Sequence, residues 1–374
     1  MPVVVFVLAA AVFAQGTSEF MLSGLLAEIA ADCGVSIGSA GLLTSMFAAG
    51  MVIGAPAMAV AVSAVPRRTA LIGFLGLFCA SHAMGALTMD FALLLSTRAV
   101  AAIANAGFLA VALASVPALV TSDAVGRATS ILLSGVTIAC IVGVPAGTVL
   151  GQALGWQSAF WAIAIITAVA LAALWAMTGT TLETPHQNGI GPVRREWRVL
   201  GGRGLIVTVV LGVLVNASTF AGFTYLGTIA AALTGPASPW IPIALALFGI
   251  GSFIGVTLAG RHDGRYRTVG TVALAGIWLA AVPSVHTLTG LLVFALITGV
   301  GAFGIGATLI ATIVRTAAPA APRIAGAIAT TTFNIGAVVG PAAAGLVVGS
   351  GAHYALWVSF VLAGVAALVS LLAG

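Results

Sequence analysis

The sequence predicts an all-α membrane protein with twelve transmembrane helices in two six-helix halves. Three observations predict this class. Of the 374 residues, 61% are hydrophobic and 6% are charged, whereas soluble domains carry about 25% charged residues. Apolar runs of the roughly 20 residues that cross a bilayer as a helix recur along the whole chain. The basic residues fall in short clusters between these runs, where membrane topology explains them.

The polar breaks divide the chain into twelve apolar runs. The first six lie near residues 3–30, 38–62, 69–88, 91–115, 128–152 and 157–177. The other six lie near residues 204–231, 240–260, 268–285, 288–313, 324–348 and 354–373. One long polar connection separates the two groups. We therefore predict an N-terminal half at 1–177, a cytoplasmic linker at 178–203 and a C-terminal half at 204–374.

Arginine supplies all 13 basic residues of the chain. If the N-terminus is cytoplasmic, every arginine except Arg98 falls in a loop on the same side of the membrane. Cytoplasmic loops carry the excess of basic residues in membrane proteins. We therefore expect a multi-pass protein of the cytoplasmic (inner) membrane with both termini in the cytoplasm. Because topology accounts for the net charge of +5, nucleic acid is not an expected partner.

The two halves share weak sequence echoes at a shift of about 200 residues, which is the mark of an internal repeat. Phe20-Met21-Leu22-Ser23-Gly24 resembles Phe223-Thr224-Tyr225-Leu226-Gly227, and Gly50-xxx-Gly54 resembles Gly251-xxx-Gly255. The proline-glycine stretch 144–147 has a counterpart at 340–345. Two six-span halves with a parallel repeat are typical of the major facilitator architecture. Its glycines are expected to let neighbouring spans approach closely.

Glu19 and Arg98 are the two charged residues deep in predicted spans. A charge there costs roughly 3 kcal/mol on insertion scales, so it faces the interior and has a partner. At 1.5 Å per residue, Glu19 lies roughly 24 Å along span 1 and Arg98 about 10 Å below the outer surface in span 4. Burial favours a neutral carboxyl, whereas a nearby guanidinium favours the carboxylate. We therefore predict that the pair couples proton binding to conformation; the alternative is a salt bridge that only joins two helices.

Polar, aromatic and methionine side chains in the spans are the candidates for a substrate site. They are Gln15, Phe20, Met21, Asn105, Phe108, Asn216, Phe220, Phe223, Tyr225 and Asn334. A cavity of this composition suits a mid-sized, weakly polar molecule. For each residue taken singly, the alternative is helix packing or an interhelical hydrogen bond.

The remaining ionisable residues give no sign of chemistry. Glu28 and Asp32 are expected to be solvated at the outer end of span 1, and His82 in span 3 has no evident partner. The cysteines lack metal-ligand spacing, and no catalytic or phosphate-binding motif occurs in a supporting context. We therefore expect neither an enzyme nor a bound metal or cofactor.

A family resemblance is carried by the run Phe13-Ala14-Gln15-Gly16-Thr17-Ser18-Glu19-Phe20-Met21-Leu22-Ser23-Gly24-Leu25. This run resembles span 1 of the drug:proton antiporters of the major facilitator superfamily, and most of all that of actinobacterial chloramphenicol-resistance exporters. The likeness continues through residues 40–45, 97–98, 105–109, 126–130, 143–147 and 155–156.

The resemblance implies proton-coupled efflux of chloramphenicol or a related amphenicol by alternating access. The drug and the proton would be the partners, and a monomer the working unit. Arg98 takes the place of the family's span 4 arginine. The family's antiporter motif, which shapes the seam between the halves, falls on Gly143, Pro145, Gly147 and Gly151. Two alternatives stay open: an exporter of a sugar, nucleoside or amino-acid-like metabolite, and a membrane sensor or assembly factor that transports nothing.

The loop after span 2 departs from the family pattern. It keeps the basic pair Arg67 and Arg68 but lacks the Asp and Gly of the usual cytoplasmic gating motif. The Asp263-Gly264-Arg265 stretch after span 8 is expected to supply a version of that motif.

Overall fold

A computed structural model describes residues 1–61, 65–177, 196, 199, 201–259, 267–321 and 324–373. In the N-terminal half the helices are Val3–Phe20, Met21–Gly24 (3-10) and Leu26–Asp32 in span 1, then Ile37–Ala61, Arg67–Leu87 and Phe91–Leu119 in spans 2 to 4. A short 3-10 turn, Ser122–Ala124, leads into span 5, which comprises Val125–Ile138, Ala139–Gly143 (π) and Val144–Leu154, and span 6 is Gln157–Ala176.

In the C-terminal half span 7 comprises Arg203–Thr224 and Leu226–Thr234, and spans 8 to 10 are Trp240–Ala259, Arg267–Ser284 and Leu288–Ala317. Span 11 is Ala325–Gly345, the 3-10 turn Val348–Ser350 follows it, and span 12 is Tyr354–Leu372. Eleven of these spans are long and apolar enough to cross a membrane, and the apolar helix of span 9 is shorter. The predicted all-α, twelve-span membrane fold is therefore confirmed.

An even number of spans brings both termini to one end of the bundle, here named the termini end. Among the described residues, every arginine except Arg98 lies in a loop or helix end on that side. Most of the predicted linker 178–203 and the Asp263-Gly264-Arg265 stretch lie outside the described residues.

Spans 1 and 7 are not the continuous helices predicted at 3–30 and 204–231. Span 1 becomes a 3-10 turn at Met21–Gly24, and span 7 is interrupted at Tyr225. The two breaks fall at equivalent positions of the internal repeat and touch each other, because a Cβ on Gly227 would collide with the carbonyl oxygen of Ser23. The echo between these segments thus corresponds to a shared bend near the end of the bundle away from the termini.

The glycine echoes correspond to repeated helix contacts. Gly50 packs against the backbone of Ala99 in span 4, and Gly251 packs against the backbone of Leu296 in span 10. A side chain at either glycine would strike backbone, so these helices touch only because the residue is glycine. Spans 2 and 4 therefore pack as spans 8 and 10 do.

The two halves meet in the middle and at the opposite end of the bundle. There, hydrophobic clusters mix both halves: Phe20 packs with Phe220, and Tyr225 of span 7 packs among residues of spans 1, 2 and 4. At the termini end, in the described part of the chain, each half has its own cluster. One includes Leu8 and spans 1 and 3 to 6, and the other includes Ile313 and spans 7, 10 and 11.

The contact between Gly38 of span 2 and Gly345 of span 11 closes the opposite end. A Cβ on Gly38 would collide with the carbonyl oxygen of Gly345. Gly38→Ala should therefore force the halves apart there, at about 1–3 kcal/mol for overpacking. We expect a lower thermal unfolding midpoint, and faster maleimide labelling of Cys140 in a Cys33→Ser, Cys79→Ser background.

Gly73→Ala is the matched control, since nothing lies within 4 Å of a Cβ at that position. It should leave both measurements near the wild-type values. If Gly38→Ala behaves as this control does, the Gly38–Gly345 contact does not hold the halves together.

Candidate coupling site

Arg98 is buried in the bundle, and its guanidinium is held by residue 18 of span 1. Its side chain is 1% exposed. Nη1 donates to the Ser18 hydroxyl at 2.7 Å, and Nη2 donates to the Ser18 carbonyl at 2.8 Å. The guanidinium carbon also lies 4.5 Å from the ring centroid of Phe47, in cation–π geometry. Arg98 therefore has a fixed position between spans 1, 2 and 4.

The local fold of span 1 makes the Ser18 carbonyl available. The α-helix ends at Phe20, so Ser18 lies in its last turn, where carbonyl oxygens lack intrahelical donors. The partial negative charge of a helix C-terminus also attracts a guanidinium. The break in span 1 thus creates the acceptor to which Arg98 binds.

Glu19 lies beside this contact without joining it. The side chain is half-buried. Its charge acts on Arg98 and on the thiol of Cys140, which is itself buried. Among the described residues it makes no hydrogen bond or ion-pair contact. Glu19 and Arg98 therefore share a depth, as counted along the sequence, and attract each other across a gap.

His82 of span 3 completes the polar cluster, although the sequence offered no evident partner for it. The side chain is 1% exposed. Nε2 lies 2.6 Å from the Ser18 hydroxyl, and Nδ1 lies 2.8 Å from the Phe78 carbonyl oxygen. The depth of His82 in the sequence could have indicated this contact. At 1.5 Å per residue from Arg67, His82 lies roughly 22 Å along span 3, close to the depth of Glu19.

Three of the predicted substrate-binding residues come together across the two halves. The ring centroid of Phe20 lies 5.8 Å from that of Phe220 and 5.9 Å from that of Phe223. Phe223 stacks in turn on Phe248 of span 8, with centroids 4.6 Å apart. These rings form an aromatic cluster one residue from Glu19.

Other predicted substrate-binding residues lie inside packed cores. Met21, Phe108 and Tyr225 are each 0% exposed. Phe108 belongs to the N-terminal cluster at the termini end, far along span 4 from the aromatic rings. The Tyr225 hydroxyl donates to the Pro341 carbonyl. These three side chains are buried in the packing between spans, so they have no exposed face for a ligand.

The predicted amides differ in how they are paired. Asn216 donates to the Phe333 carbonyl, Asn334 to the Thr330 carbonyl, and Asn105 to the Met51 sulfur at 3.7 Å. Gln15 is 2% exposed, and neither atom of its amide has a hydrogen-bond partner among the described residues. An unpaired buried polar group costs about 1–3 kcal/mol, so Gln15 is the costly member of the set.

The glycines of the predicted antiporter motif face span 1. A Cβ on Gly143 would collide with Thr17, one on Gly147 would lie 3.7 Å from Met21, and one on Gly151 would collide with Leu25. The contact of span 5 with span 8 lies on another face, where Gly249 packs against the Cys140 backbone. The three glycines therefore fix span 5 to span 1, while other residues of the same segment, among them Cys140 and Val144, pack against the C-terminal half.

Pro145 explains the π-helical turn Ala139–Gly143 that precedes it. Proline has no backbone N–H, and its ring crowds the carbonyl four residues earlier. A π-turn widens the helix at such a point. The sequence predicted the helix but not this local change.

Glu28 borders a cavity of about 210 Å³ between spans 1 and 7 at the opposite end, together with Thr228. Burial, and then the Asp32 carboxylate, raises the pKa of Glu28 above its ordinary value of 4.5. Asp32 is exposed and accepts a hydrogen bond from Trp156 Nε1 at 3.0 Å. Asp32 is thus exposed to solvent as expected, whereas Glu28 is partly buried. No group of three metal-ligating side chains occurs among the residues the structure describes.

Comparison with known proteins identifies a family of transporters. The model of the Major Facilitator Superfamily matches residues 8–330. A chloramphenicol resistance protein of Streptomyces lividans is 44% identical over 377 residues, which covers 99% of this chain and 96% of that protein. The inner membrane transport protein YdhP of Escherichia coli K12 is 28% identical over 351 residues, or 93% of this chain and 89% of YdhP.

Among solved structures, a bacterial homologue of the human lysosomal transporter Spinster, in an inward-facing and unoccupied conformation, superimposes with a TM-score of 0.76. It covers 100% of this chain and 97% of its own at 16% identity. A likeness at that identity establishes the shared fold.

Because the folded protein favours protonated Glu28, this residue contributes stability below about pH 4.5 that is lost as the pH rises through the raised pKa. Glu28→Gln keeps the neutral form at every pH. Its thermal unfolding midpoint in detergent should equal that of the wild type near pH 4 and exceed it near pH 8.

Asp123→Asn is the opposite-sign control. A hydrogen bond from Thr121, and then one from its own backbone N–H, lowers the pKa of the exposed Asp123. Its stabilising effect is present above its unfolded pKa, so this variant should lose stability at neutral pH. Parallel midpoint curves for Glu28→Gln and the wild type would contradict the assigned burial of Glu28.

Proposed function

Because the chain belongs to the major facilitator superfamily, whose members are transporters and not enzymes, we propose that it is a proton-coupled exporter of chloramphenicol or a related amphenicol. The observation that carries the proposal is Glu19, a half-buried carboxylate next in sequence to Ser18, which binds the guanidinium of Arg98. The 44% identity to a Streptomyces chloramphenicol resistance protein supports the choice of drug. The partners are the drug, the proton and the lipid bilayer.

The arginines support an orientation with the termini end in the cytoplasm of the inner membrane. In that orientation the halves are joined at the outer end and have separate cores at the cytoplasmic end. These contacts support an inward-open arrangement within alternating access. One chain contains both halves, so a monomer is the working unit, with the residues near 178–203 as the linker between its two domains.

Glu19 is suited to exchange a proton because Arg98 attracts it without bonding to it. A direct, hydrogen-bonded ion pair would hold the carboxylate charged. Partial burial alone would favour the neutral acid. With both influences present, a small movement of span 1 against span 4 changes which form is favoured. Rocking of the halves then couples proton uptake outside to the return of the empty carrier.

The aromatic cluster of Phe20, Phe220 and Phe223 supports a nearby drug site. The cluster contains residues of both halves, and its member Phe20 directly follows Glu19 in sequence. An aromatic face suits the ring of an amphenicol, and the Gln15 amide, unpaired among the described residues, offers polar pairing on the same helix. Binding there would affect the protonation of Glu19 through span 1.

Glu19→Gln should abolish proton-coupled drug efflux while leaving drug binding measurable, since glutamine keeps the shape and loses the titratable group. The measurement is chloramphenicol-driven acidification or alkalinisation in proteoliposomes, together with phenicol resistance in a host that lacks its own pumps. Glu28→Gln is the matched control, a carboxylate nine residues along the same chain segment, and should transport normally. If Glu19→Gln couples transport to protons as the wild type does, Glu19 is not part of the mechanism. If the wild-type protein confers resistance to no phenicol, chloramphenicol and related drugs are not its substrates.

Gln15→Met should stabilise the unliganded protein and weaken chloramphenicol binding. The substitution removes an unpaired buried amide, worth about 1–3 kcal/mol, and removes the polar contact proposed for the drug. Thermal unfolding with and without drug measures both effects. Asn216→Met is the control, and it should destabilise because its amide is already bonded to Phe333. A destabilised Gln15→Met variant with normal drug affinity would show that the amide serves packing alone.

A further inference from the structure

The hydrogen bonds around Ser18 have only one consistent direction. The Phe78 carbonyl can only accept, so Nδ1 of His82 carries the hydrogen. In the neutral ring Nε2 is then an acceptor, and the Ser18 hydroxyl donates to it. The oxygen of that hydroxyl is thereby turned to accept from Nη1 of Arg98. A chain of three bonds thus runs from Arg98 through Ser18 and His82 to Phe78.

His82 decides where the Ser18 hydroxyl points. Several buried serines in this bundle donate to a carbonyl three or four residues back in their own helix, as Ser81 does to Leu77 and Ser218 does to Val215. Ser18 has the same option in a helix. Its hydroxyl donates across to span 3 because the Nε2 atom of His82 lies 2.6 Å away.

The surroundings of His82 favour the neutral ring. Its centroid lies 4.2 Å from that of Phe78 and 5.8 Å from that of Phe160, so two sides are apolar. The charged groups that act on this cluster are Arg98, one hydroxyl away, and Glu19 beyond it. A proton on Nε2 would face the Ser18 hydroxyl as a second donor and stand next to a like charge. His82 therefore serves as a hydrogen-bond acceptor and not as a proton carrier.

We propose that His82 is a positioning residue which, through Ser18, holds Arg98 beside Glu19 and out of direct contact with it, and so sets the pH range of transport. The proposal rests on the proposed proton coupling. Without the acceptor on His82, the Ser18 hydroxyl turns to its own helix and Arg98 loses one of its two bonds to residue 18. The freed guanidinium then pairs with the nearest carboxylate, Glu19, and holds it charged.

The test compares His82→Phe with His82→Gln. Phenylalanine keeps a flat ring between Phe78 and Phe160 without an acceptor, whereas the glutamine amide oxygen can take the place of Nε2. His82→Phe should move the midpoint of the transport–pH profile to lower pH by at least about one unit, the size of effect an opposite charge at contact produces. His82→Gln should restore most of the shift. Ser18→Ala should reproduce it, and Ser115→Ala, which removes a hydroxyl bonded within its own helix, should not.

A second readout needs no variant. Nitrogen-15 NMR of the wild-type protein labelled at histidine should show one histidine as the neutral Nδ1–H form across the whole transport range. An imidazolium signal for His82 in that range, or wild-type pH profiles for His82→Phe and Ser18→Ala, would overturn the proposal. If Glu19→Gln still couples transport to protons, the proposed proton-coupling role of Glu19 is wrong. The NMR result tests the role of His82 independently of that outcome.

Discussion

The guanidinium of Arg98 is bonded to residue 18 and not to the carboxylate at residue 19, and the arrangement of the polar site depends on this offset. Moving a charge into the membrane interior costs roughly 3 kcal/mol or more. Here the two oxygens of Ser18 and the face of Phe47 offset that cost for Arg98. Glu19 takes no part in that compensation. It keeps the Coulomb attraction of Arg98 and, within the part of the chain that the structure describes, makes none of the hydrogen bonds that would fix its charge.

The end of the first helix in span 1 connects this site to the contact between the halves. The turn Met21–Gly24 lies between the Ser18 carbonyl, which binds Arg98, and the Ser23 carbonyl, against which Gly227 of span 7 packs. The equivalent break in span 7 provides the other side of that contact. Close packing through glycine recurs at equivalent positions of both halves, so each half is a firmly packed unit. Span 1 is thus the element that both the charged cluster and the seal between halves share.

The architecture could be predicted from the sequence because it follows from strong local signals. Apolar runs, arginine placement and the glycine echoes each depend on the cost of polar groups in lipid, and they gave twelve spans. The breaks at Met21–Gly24 and Tyr225 could not be predicted, since they depend on contacts with partners distant in sequence. Counting residues placed Arg98 at the depth of Glu19. It could not show which neighbouring residue the guanidinium bonds, because one residue along a helix turns a side chain by about 100°. His82 was missed because its partner is a serine, which carries no charge signal.

In an antiporter that carries the drug out and returns with a proton on Glu19, we expect drug binding and the protonation of Glu19 to exclude each other. Calorimetry of chloramphenicol binding to the purified protein, repeated in buffers with different ionisation enthalpies, measures the protons released on binding. The wild-type protein should release up to one proton per bound drug, in the pH range where transport changes with pH, and Glu19→Gln should release none. Drug binding with no dependence on the buffer at any pH where the wild-type protein is folded would contradict the account.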